Sequence, residues 1–348
     1  MNQPVKISIK NIFSRRDIQV ITAFFFFVLA LLVFTFFSPN YYDSNEPVQI
    51  EVKKGETLTH IVDTLYNHGV IPNKTNMKIA AFMYGAERKL KAGRYNIPNG
   101  LNYLELVELF IDGSPVSERL ITIAEGIWQK DLAQLLKKEL GIDSSKIIEL
   151  SKSRSFLNAL KIDADNLEGY LLPETYYFYS NSSAEEVLKK LCSEMNNFFE
   201  DDKIKQRMRE LKMSKHQILT LASIIEGESN LFSEFKTISG VYHNRLKKGM
   251  ALQADPTIQY LIRDRRKNKI YYKDLEIDSR FNTYKYPGLP PAPINNPGRD
   301  AILAALYPGK HKYLYFVANG EGGHYYSTNY IDHAQNVAKY REWRLNQK

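Results

Sequence analysis

Residues 18–37 form one long apolar run, and this run constrains the fold more than any other feature of the chain. Its polar side chains are Gln19, Thr22 and Thr35, and it contains no charged residue. About twenty helical residues span about 30 Å, which is the thickness of the hydrocarbon core of a bilayer. The run therefore predicts one membrane-spanning helix over residues 18–37.

The charges on either side of this run predict its orientation. Basic residues precede it and acidic residues follow it: Lys6, Lys10, Arg15 and Arg16, then Asp43 and Glu46. The positive-inside rule then places residues 1–17 in the cytoplasm and the rest of the chain outside the cell membrane. A cleaved signal peptide is the alternative, but the run is long for one and no small-x-small cleavage site follows it.

The overall composition restricts the partners of an exported body. The formal charge is +8 and the pI about 9.1, but Lys and Arg are spread along the chain. We therefore expect no nucleic-acid partner, and the positive charge suits an anionic polymer or a lipid surface better. The single cysteine, Cys192, excludes an intramolecular disulfide, so the body must be held by its core and its hydrogen bonds.

Glu228 is the strongest candidate for a catalytic residue. It lies where the apolar run at 221–225 gives way to Glu-Gly-Glu-Ser at 226–229. In a helix, Glu228 falls beside the aliphatic side chains, whereas Glu226 points to nearly the opposite face. Partial desolvation raises the pKa of a carboxyl group toward the range of a general acid. We therefore predict that Glu228 is the acid and Glu226 is not its partner; the alternative is that both simply solvate a helix end.

Several polar, glycine- and proline-rich segments follow Glu228 in the chain. They are Asn-Arg-Leu at 244–246, Leu-Gln-Ala-Asp-Pro-Thr at 252–257, Asn-Thr-Tyr at 282–284, Gly-Leu-Pro-Pro-Ala-Pro-Ile at 288–294 and Tyr-Leu-Tyr-Phe-Val at 313–317. With Ala-Ser-Ile-Ile-Glu-Gly-Glu at 222–228, they resemble the catalytic domain of the endolytic murein transglycosylases, the YceG-like family. The resemblance covers residues 45–340 and is strongest after 215. Six such segments in one order are hard to assemble by chance.

The resemblance implies a reaction and the residue that performs it. In the family, the second Glu of the first segment is credited with catalysis, so this role carries over to Glu228. The expected activity is that of a carbon–oxygen lyase that cuts peptidoglycan glycan strands between MurNAc and GlcNAc and leaves 1,6-anhydro-MurNAc ends. No cofactor and no metal are expected. Release of nascent strands would end their elongation, and peptidoglycan synthases or divisome proteins are possible partners.

Other residues of these segments are candidates for binding the sugar: Gln253, Asp255, Asn282 and Tyr284. A glycan cleft needs fixed hydrogen-bond donors and acceptors, which polar side chains in turn-rich segments supply. Asp255 has an alternative role as a helix N-cap, with Pro256 at the first helical position, and we favour this role slightly. The role of Ser229 stays open.

Two further groups of residues carry weaker signals. The segment Glu-Gly-Tyr-Leu-Leu-Pro-Glu-Thr-Tyr at 168–176 is a signature of the same family, and turn packing is the default role for Glu168 and Tyr176. His311, His324 and His333 lie in one C-terminal region, but their spacing matches no metal-ligand pattern. We therefore predict no metal site.

The remaining chain predicts an α+β protein with two parts outside the membrane. Residues 45–115 alternate strand and helix patterns and are similar to a LysM-like glycan-binding module, although no complete second half of the repeat is evident. A structural platform is the alternative for this part. Residues 116–348 are expected to form the YceG-like catalytic domain, with its core at 165–340.

Two other functions remain open at this point. One is a glycan-binding scaffold of the cell-wall synthesis machinery without activity, which the intact Glu228 argues against. The other is a muramidase that uses water. That mechanism needs a second carboxylate about 5 to 9.5 Å from the first, and Asp255 is the only one in a suggestive segment.

Overall fold

The computed structural model describes residues 14–44, 46–265 and 270–347. Lys6, Lys10 and most of the segment predicted to be cytoplasmic lie outside these ranges. The chain divides into two compact units, residues 1–118 and 119–348.

The first unit contains the long apolar helix and a small α+β body. Its elements in chain order are α1 (Arg15–Phe37), β1 (Val48–Val52), α2 (Leu58–Asn67), α3 (Lys74–Met83), β2 (Gly93–Ile97) and α4 (Tyr103–Ile111). Among the described residues, α1 alone is long and apolar enough to cross a membrane by length and composition. Ser14 caps α1 through a capping box with Asp17, so the helix begins just before the apolar run.

The body of this unit is held by a two-stranded sheet and three helices. The strands β1 and β2 pair antiparallel, from Val48 opposite Ile97 to Val52 opposite Gly93. Thr57 caps α2, and the apolar stripe of α2 faces the core because Ile61, Val62 and Leu65 are fully buried. The elements β1, α2, α3, β2 and α4 together enclose a small hydrophobic core in the first unit.

The second unit is mainly helical. Its elements are β3 (Glu118–Thr122), which begins at the boundary, α5 (Gln129–Leu140), α6 (Ser144–Lys152), α7 (Arg154–Ala159), β4 (Thr175–Tyr179), α8 (Ala184–Glu200), α9 (Asp202–Leu211), α10 (Lys215–Glu228), α11 (Phe232–Lys247), α12 (Asp255–Ile262), α13 (Arg299–Leu306), β5 (Tyr315–Ala318), β6 (His324–Ser327) and α14 (Tyr330–Asn346). Short 3₁₀ turns lie at Ala86–Arg88 in the first unit and at Arg263–Arg265 and Tyr272–Glu276 here.

Each sheet in the described chain has two strands. The strands β3 and β4 pair with one another, and β5 and β6 form an antiparallel hairpin from Tyr315 opposite Ser327 to Ala318 opposite His324. Residues 319–323 connect these two strands. Helices and small sheets together make the chain a mixed α+β protein, as the sequence predicted.

The helix α10 forms the centre of the second unit. Eight consecutive residues, 218 to 225, are buried, and a helix that is buried all round belongs to the interior of a domain. It packs against α11, α12 and α13. A capping box between Ser214 and Gln217 fixes its first turn, and the helix ends at Glu228. The core helix therefore carries Glu228 from the interior to its edge.

Candidate active site

The carboxyl group of Glu228 is enclosed by protein and partly accessible from one side. Tyr242, a buried residue of α11, donates a hydrogen bond from its hydroxyl to Oε1 of Glu228. Burial raises the pKa of Glu228 to about 8, although this hydrogen bond lowers it. The charge of Asp255 raises this pKa further, and that of Arg245 lowers it. The carboxyl group is therefore mainly protonated near neutral pH and able to donate a proton.

Glu228 opens into a cavity of about 420 Å³. The lining contains both polar and apolar residues, which come from several segments: Gly227, Glu228, Arg245, Leu252, Gln253, Asp255, Pro256, Gln259, Tyr284, Phe316, Val317, Ala318, His324 and Tyr340. Gln253, Asp255 and Tyr284, three of the predicted sugar-binding residues, thus share a cavity with Glu228. A cavity of this size with few convergent polar groups is typical of a ligand site.

A larger open groove of about 780 Å³ lies elsewhere in the second unit, along α6 and the start of α8. Three carboxylates line it, those of Asp143, Glu149 and Glu185, and Asp143 caps α6. The hydrogen bond from the Ser145 backbone lowers the pKa of Asp143. The cavity at Glu228 is the better candidate site, although it is smaller, because burial raises the pKa of its carboxyl group, which can then donate a proton near neutral pH.

Asp255 is not a helix N-cap. Ala254 holds that position, without a side-chain hydrogen bond, and Asp255 is already the first residue of α12. The N-cap interpretation, which the sequence slightly favoured, is therefore wrong. Its carboxylate is instead exposed toward the cavity, where Oδ1 accepts a hydrogen bond of 2.5 Å from the Tyr284 hydroxyl. The sequence pattern does not predict the hydrogen bond between Asp255 and Tyr284, because these residues are 29 positions apart in the chain.

Asn282 lies outside the described lining of the cavity. Its side chain is fully buried, and Nδ2 donates to the carbonyl groups of Leu275 and Ile277 at 2.9 and 2.8 Å. Its Oδ1 accepts a hydrogen bond of 3.0 Å from the backbone of Tyr284. In this structure Asn282 therefore shapes the loop that presents Tyr284, and does not reach the place where a sugar would lie.

Arg245 lines the cavity and connects Leu252, another lining residue, to Leu314, which directly precedes β5. Its Nη1 donates to the Leu252 carbonyl at 2.7 Å, and its Nε donates to the Leu314 carbonyl at 2.6 Å. It also donates to Oε1 of Gln253 at 3.4 Å. Gln253 itself has a φ of +50°, a left-handed conformation that a non-glycine residue adopts rarely. The hydrogen bond from its backbone to the Thr283 carbonyl, at 3.0 Å, holds it there.

His324 is a cavity residue that the sequence did not single out as a site residue. Its Nδ1 and its backbone N–H both contact the carboxylate of Glu234, at 2.7 and 2.9 Å. Ser229, next to Glu228, donates from Oγ to the same carboxylate at 3.4 Å. Ser229 thus links the segment of Glu228 to the pair of Glu234 and His324. Only the fold brings these residues together, because Glu234 and His324 lie 90 positions apart.

Tyr242 was also missed, although the sequence holds a weak signal for it. It precedes the Asn-Arg-Leu segment and lies three residues before Arg245, so the two side chains share one face of α11. Arg245 lines the cavity directly, and Tyr242 donates a hydrogen bond to Glu228, which lines it. A polar residue at helical spacing from a motif arginine was the available indication.

Three other candidate residues, two glutamates and one tyrosine, make hydrogen bonds within the second unit. Glu226 accepts a hydrogen bond of 2.9 Å from the backbone of Gly298, and burial raises its pKa to about 7. Glu168 is buried and accepts hydrogen bonds from the Gln129 backbone and from Asn296. The Tyr176 hydroxyl donates to the Leu172 carbonyl at 2.8 Å. None of these three residues is part of the described cavity lining, which agrees with the default expected for Glu168 and Tyr176.

Within the described residues, no group of three or more His, Cys, Asp and Glu side chains could hold a metal ion. His311 contacts the Thr237 carbonyl at 3.0 Å, and His333 stacks on Tyr315 with ring centroids 5.1 Å apart. The three C-terminal histidines thus contact a carbonyl, a carboxylate and an aromatic ring respectively.

General acid catalysis needs a protonated carboxyl group that is accessible from a polar cavity, and Glu228 meets this requirement. The fold and the site together therefore define a class of protein: an α+β enzyme that uses a carboxylic acid as its general acid. Comparison with known proteins gives the family. The chain belongs to the YceG-like family, whose model matches residues 50–339. The resemblance predicted from the motif segments is thereby confirmed.

The chain is similar to several characterised or solved members. An endolytic murein transglycosylase of Bacillus subtilis is 32% identical over 317 residues, which are 86% of this chain and 86% of that protein. An endolytic murein transglycosylase of Streptococcus pneumoniae is 28% identical over 335 residues, 87% of this chain and 60% of that protein, so this chain spans 60% of its length. A crystal structure of a YceG-like protein from Listeria monocytogenes matches with a TM-score of 0.57 and 32% identity, over 84% of this chain and 99% of that one.

Proposed function

We propose that this protein is a membrane-anchored endolytic lytic transglycosylase that cuts peptidoglycan glycan strands. The observation that carries the proposal is the carboxyl group of Glu228, buried beside Tyr242 and open to the cavity. The names of the relatives in Bacillus and Streptococcus support the substrate and the reaction type.

In the proposed reaction, Glu228 donates its proton to the glycosidic oxygen between MurNAc and GlcNAc. The bond from the anomeric carbon to that oxygen breaks, and GlcNAc leaves as the alcohol. The C6 hydroxyl of the same MurNAc attacks the anomeric carbon and forms the 1,6-anhydro bond. The Glu228 carboxylate then accepts the proton of that hydroxyl, so one residue acts first as acid and then as base. The strand is cleaved without water.

The hydrogen bond from Tyr242 supports both halves of this cycle. It stabilises the carboxylate that forms after proton donation and orients Oε1, which leaves the other carboxyl oxygen for the substrate. Gln253 and the pair of Asp255 and Tyr284 are proposed to bind hydroxyl and N-acetyl groups of the sugar, since they line the same cavity. Asn282 is proposed as a positioning residue for Tyr284.

A muramidase that uses water is the second candidate, and one observation favours it. Asp255 places a second carboxylate in the cavity of Glu228, and such a group could activate water in the way that ordinary glycosidases do. An inactive scaffold is less well supported, because a scaffold has no need to keep a protonated carboxyl group in a cavity.

Membrane attachment is proposed to be through α1, with the N-terminus in the cytoplasm, and with the α+β body of the first unit and the second unit outside. Phe36 is buried in the core of the first unit, and the backbone of Asn40 donates to the Leu101 carbonyl at 3.1 Å. A segment built into the core in this way supports an uncleaved anchor and not a removed signal peptide. Location at the outer face of the cell membrane would confine cleavage to newly made strands, where synthases or divisome proteins are possible partners.

The first unit is proposed to be LysM-like. Support comes from the order β1, α2, α3, β2 and from the antiparallel pairing of its two strands. Whether it binds glycan is testable by titrating uncrosslinked strands against the protein.

The decisive experiment is product analysis with the full chain in detergent micelles and uncrosslinked glycan strands in heavy-oxygen water. We expect anhydro-MurNAc ends without incorporated label, lost in Glu228→Gln and kept in Glu226→Gln, the matched control from the same helix. Labelled reducing ends that depend on both Glu228 and Asp255 would establish the muramidase instead. Unchanged strands, with retained binding, would indicate a scaffold.

A further inference from the structure

One helix of the first unit carries large apolar side chains on its outer side. Met77, Ala80 and Ala81 of α3 are buried, whereas Ile79, Phe82 and Met83 are 44%, 80% and 66% exposed. The three exposed residues have the spacing i, i+3, i+4 and therefore share one side of the helix. We call them the α3 apolar face. Clustered apolar side chains of this kind mark interaction surfaces on soluble bodies.

This face lies on a helix that contacts the anchor. The helix α1 contacts α3 and α4, and its last turn enters the core of the unit. Phe36 is 9% exposed, and its ring centroid lies 6.3 Å from that of Tyr103 at the start of α4. The end of the apolar helix is thus a structural part of the unit.

The connection between α1 and the α+β body of the first unit is short and is fixed by hydrogen bonds. The helix ends at Phe37, and Asn40 is already fixed, because its side chain and backbone donate to the Leu101 carbonyl at 3.0 and 3.1 Å. Its own carbonyl accepts from the backbone of Gly100 at 3.0 Å. If residues 18–37 cross a hydrocarbon core of about 30 Å, the last turn of α1 lies at the membrane boundary. Helices in contact with that turn then lie at the level of the lipid headgroups.

The charges around the α3 apolar face suit a headgroup layer. Lys78 is exposed on the same helix, and Lys89 is exposed shortly after it, with Glu87 as the acidic residue of that turn. Aromatic and aliphatic side chains flanked by lysines are the composition of helices that lie in a lipid interface. Lysine side chains can reach the phosphates while the apolar side chains enter the acyl boundary.

We propose that the α3 apolar face inserts into the interfacial layer of the bilayer that α1 spans. The first unit would then be bound to the lipid at two places, the spanning helix and this face, and could not turn freely on its anchor. The inference rests on the proposed anchoring by α1 and is independent of the proposed enzymatic activity.

The test uses the full chain with Cys192→Ala, labelled with an environment-sensitive fluorophore at a single new cysteine. The protein is reconstituted into vesicles of phosphatidylethanolamine and phosphatidylglycerol that carry spin-labelled lipids as quenchers. Phe82→Cys reports on the α3 apolar face, Glu51→Cys on an exposed strand position of the same unit, and Phe27→Cys on the middle of the anchor.

We expect lipid quenchers near the headgroups to quench the label at 82 about threefold more than the label at 51, and deep quenchers to quench the label at 27. Quenching of the label at 82 by aqueous iodide, as at 51, would overturn the inference. A label at 82 that is shielded from both water and lipid would also overturn it, and would indicate a second copy or a protein partner. Failure of the label at 27 alone to sense lipid would refute the anchor itself.

A second variant guards against an effect of the label. With the fluorophore at Lys78→Cys, replacement of Phe82 and Met83 by Ser should abolish the shallow lipid quenching. The replaced side chains are exposed, so the fold should persist, and Tyr177→Ser, an exposed aromatic of the second unit, serves as the matched control. Unchanged quenching in the double variant would contradict the inference.

Discussion

The hydroxyl of Tyr242 donates a hydrogen bond to Oε1 of Glu228, and both groups lie inside the protein at the edge of the cavity. Burial favours the protonated carboxyl group, whereas the tyrosine favours the carboxylate. The two effects oppose one another, and their balance sets the pH at which the candidate acid holds its proton.

Replacement of Tyr242 by Phe should raise the pKa of Glu228, because the hydrogen bond that lowers it is lost. A weaker acid and a less well oriented carboxyl group should reduce kcat by about 10- to 100-fold. The basic limb of the pH–rate profile, near pH 8 in the unchanged protein, should move to higher pH. Tyr286→Phe is the control, since Tyr286 bonds Asp278 outside the described cavity lining. An unchanged profile would show that Tyr242 has no influence on the acid.

Gly227 lies between Glu226 and Glu228, and its close contact with α12 leaves no space for a larger side chain. A Cβ atom at this position would lie 2.7 Å from Cβ of Pro256, so the rigid proline ring would have to shift. Gly227→Ala should therefore displace Asp255 and destabilise the fold by about 1–3 kcal/mol, as other overpacked positions do.

Helix propensity alone predicts the opposite sign for Gly227→Ala, a gain of about 1 kcal/mol. Urea unfolding distinguishes the two, and turnover of glycan strands should fall with stability. Ser233→Ala, an exposed change in the next helix, is the control. A stabilised, fully active Gly227→Ala would show that the contact with Pro256 does not limit this position.

The stability of the second unit should decline as the pH rises from about 4.5 to 7. Burial raises the pKa values of Glu168 and Glu226 to about 7, above the value of 4.5 expected in the unfolded chain. At these two groups the folded state binds more protons in this window, so their contribution to the free energy of unfolding is complete below pH 4.5 and is lost as they ionise.

Tryptophan fluorescence during urea unfolding measures this slope, because Trp128 and Trp343 both belong to the second unit. Glu226→Gln should flatten it, since an amide cannot ionise. The exposed Glu276→Gln should leave it unchanged. An identical slope in Glu226→Gln and in the unchanged protein would contradict the assignment of a buried, protonated carboxyl group to Glu226.

Arg245→Lys should weaken substrate binding more than it impairs folding. Lysine keeps the charge but cannot donate to the carbonyl groups of Leu252 and Leu314 at once. Leu252 lines the cavity, and Leu314 directly precedes the strand β5, which supplies further lining residues. Loss of one buried hydrogen bond costs about 1–3 kcal/mol of folding free energy. Displacement of the lining residues that this bond positions should raise KM about tenfold or more. Arg209→Lys, an exposed arginine of α9, is the control. An unchanged KM would mean that the cavity walls hold without this bridge.

Local patterns in the chain were sufficient for some features. The uncharged run at 18–37 predicts the helix α1, and the apolar run that precedes Glu228 predicts a core helix with Glu228 at its end. These predictions succeed because hydrophobic content and helical spacing act over a few residues. The order of the motif segments likewise identified the family, which the comparisons confirm.

The sequence by itself thus determined an apolar helix, an acid at the end of a core helix and the family of the chain. Only the tertiary structure decided which side chains meet. It paired Tyr242 with Glu228, Tyr284 with Asp255 and His324 with Glu234, made Ala254 the cap of α12 and buried Asn282 behind the cavity. These contacts join residues 14 to 90 positions apart, and they depend on how helices and loops pack, which no local pattern of residues encodes.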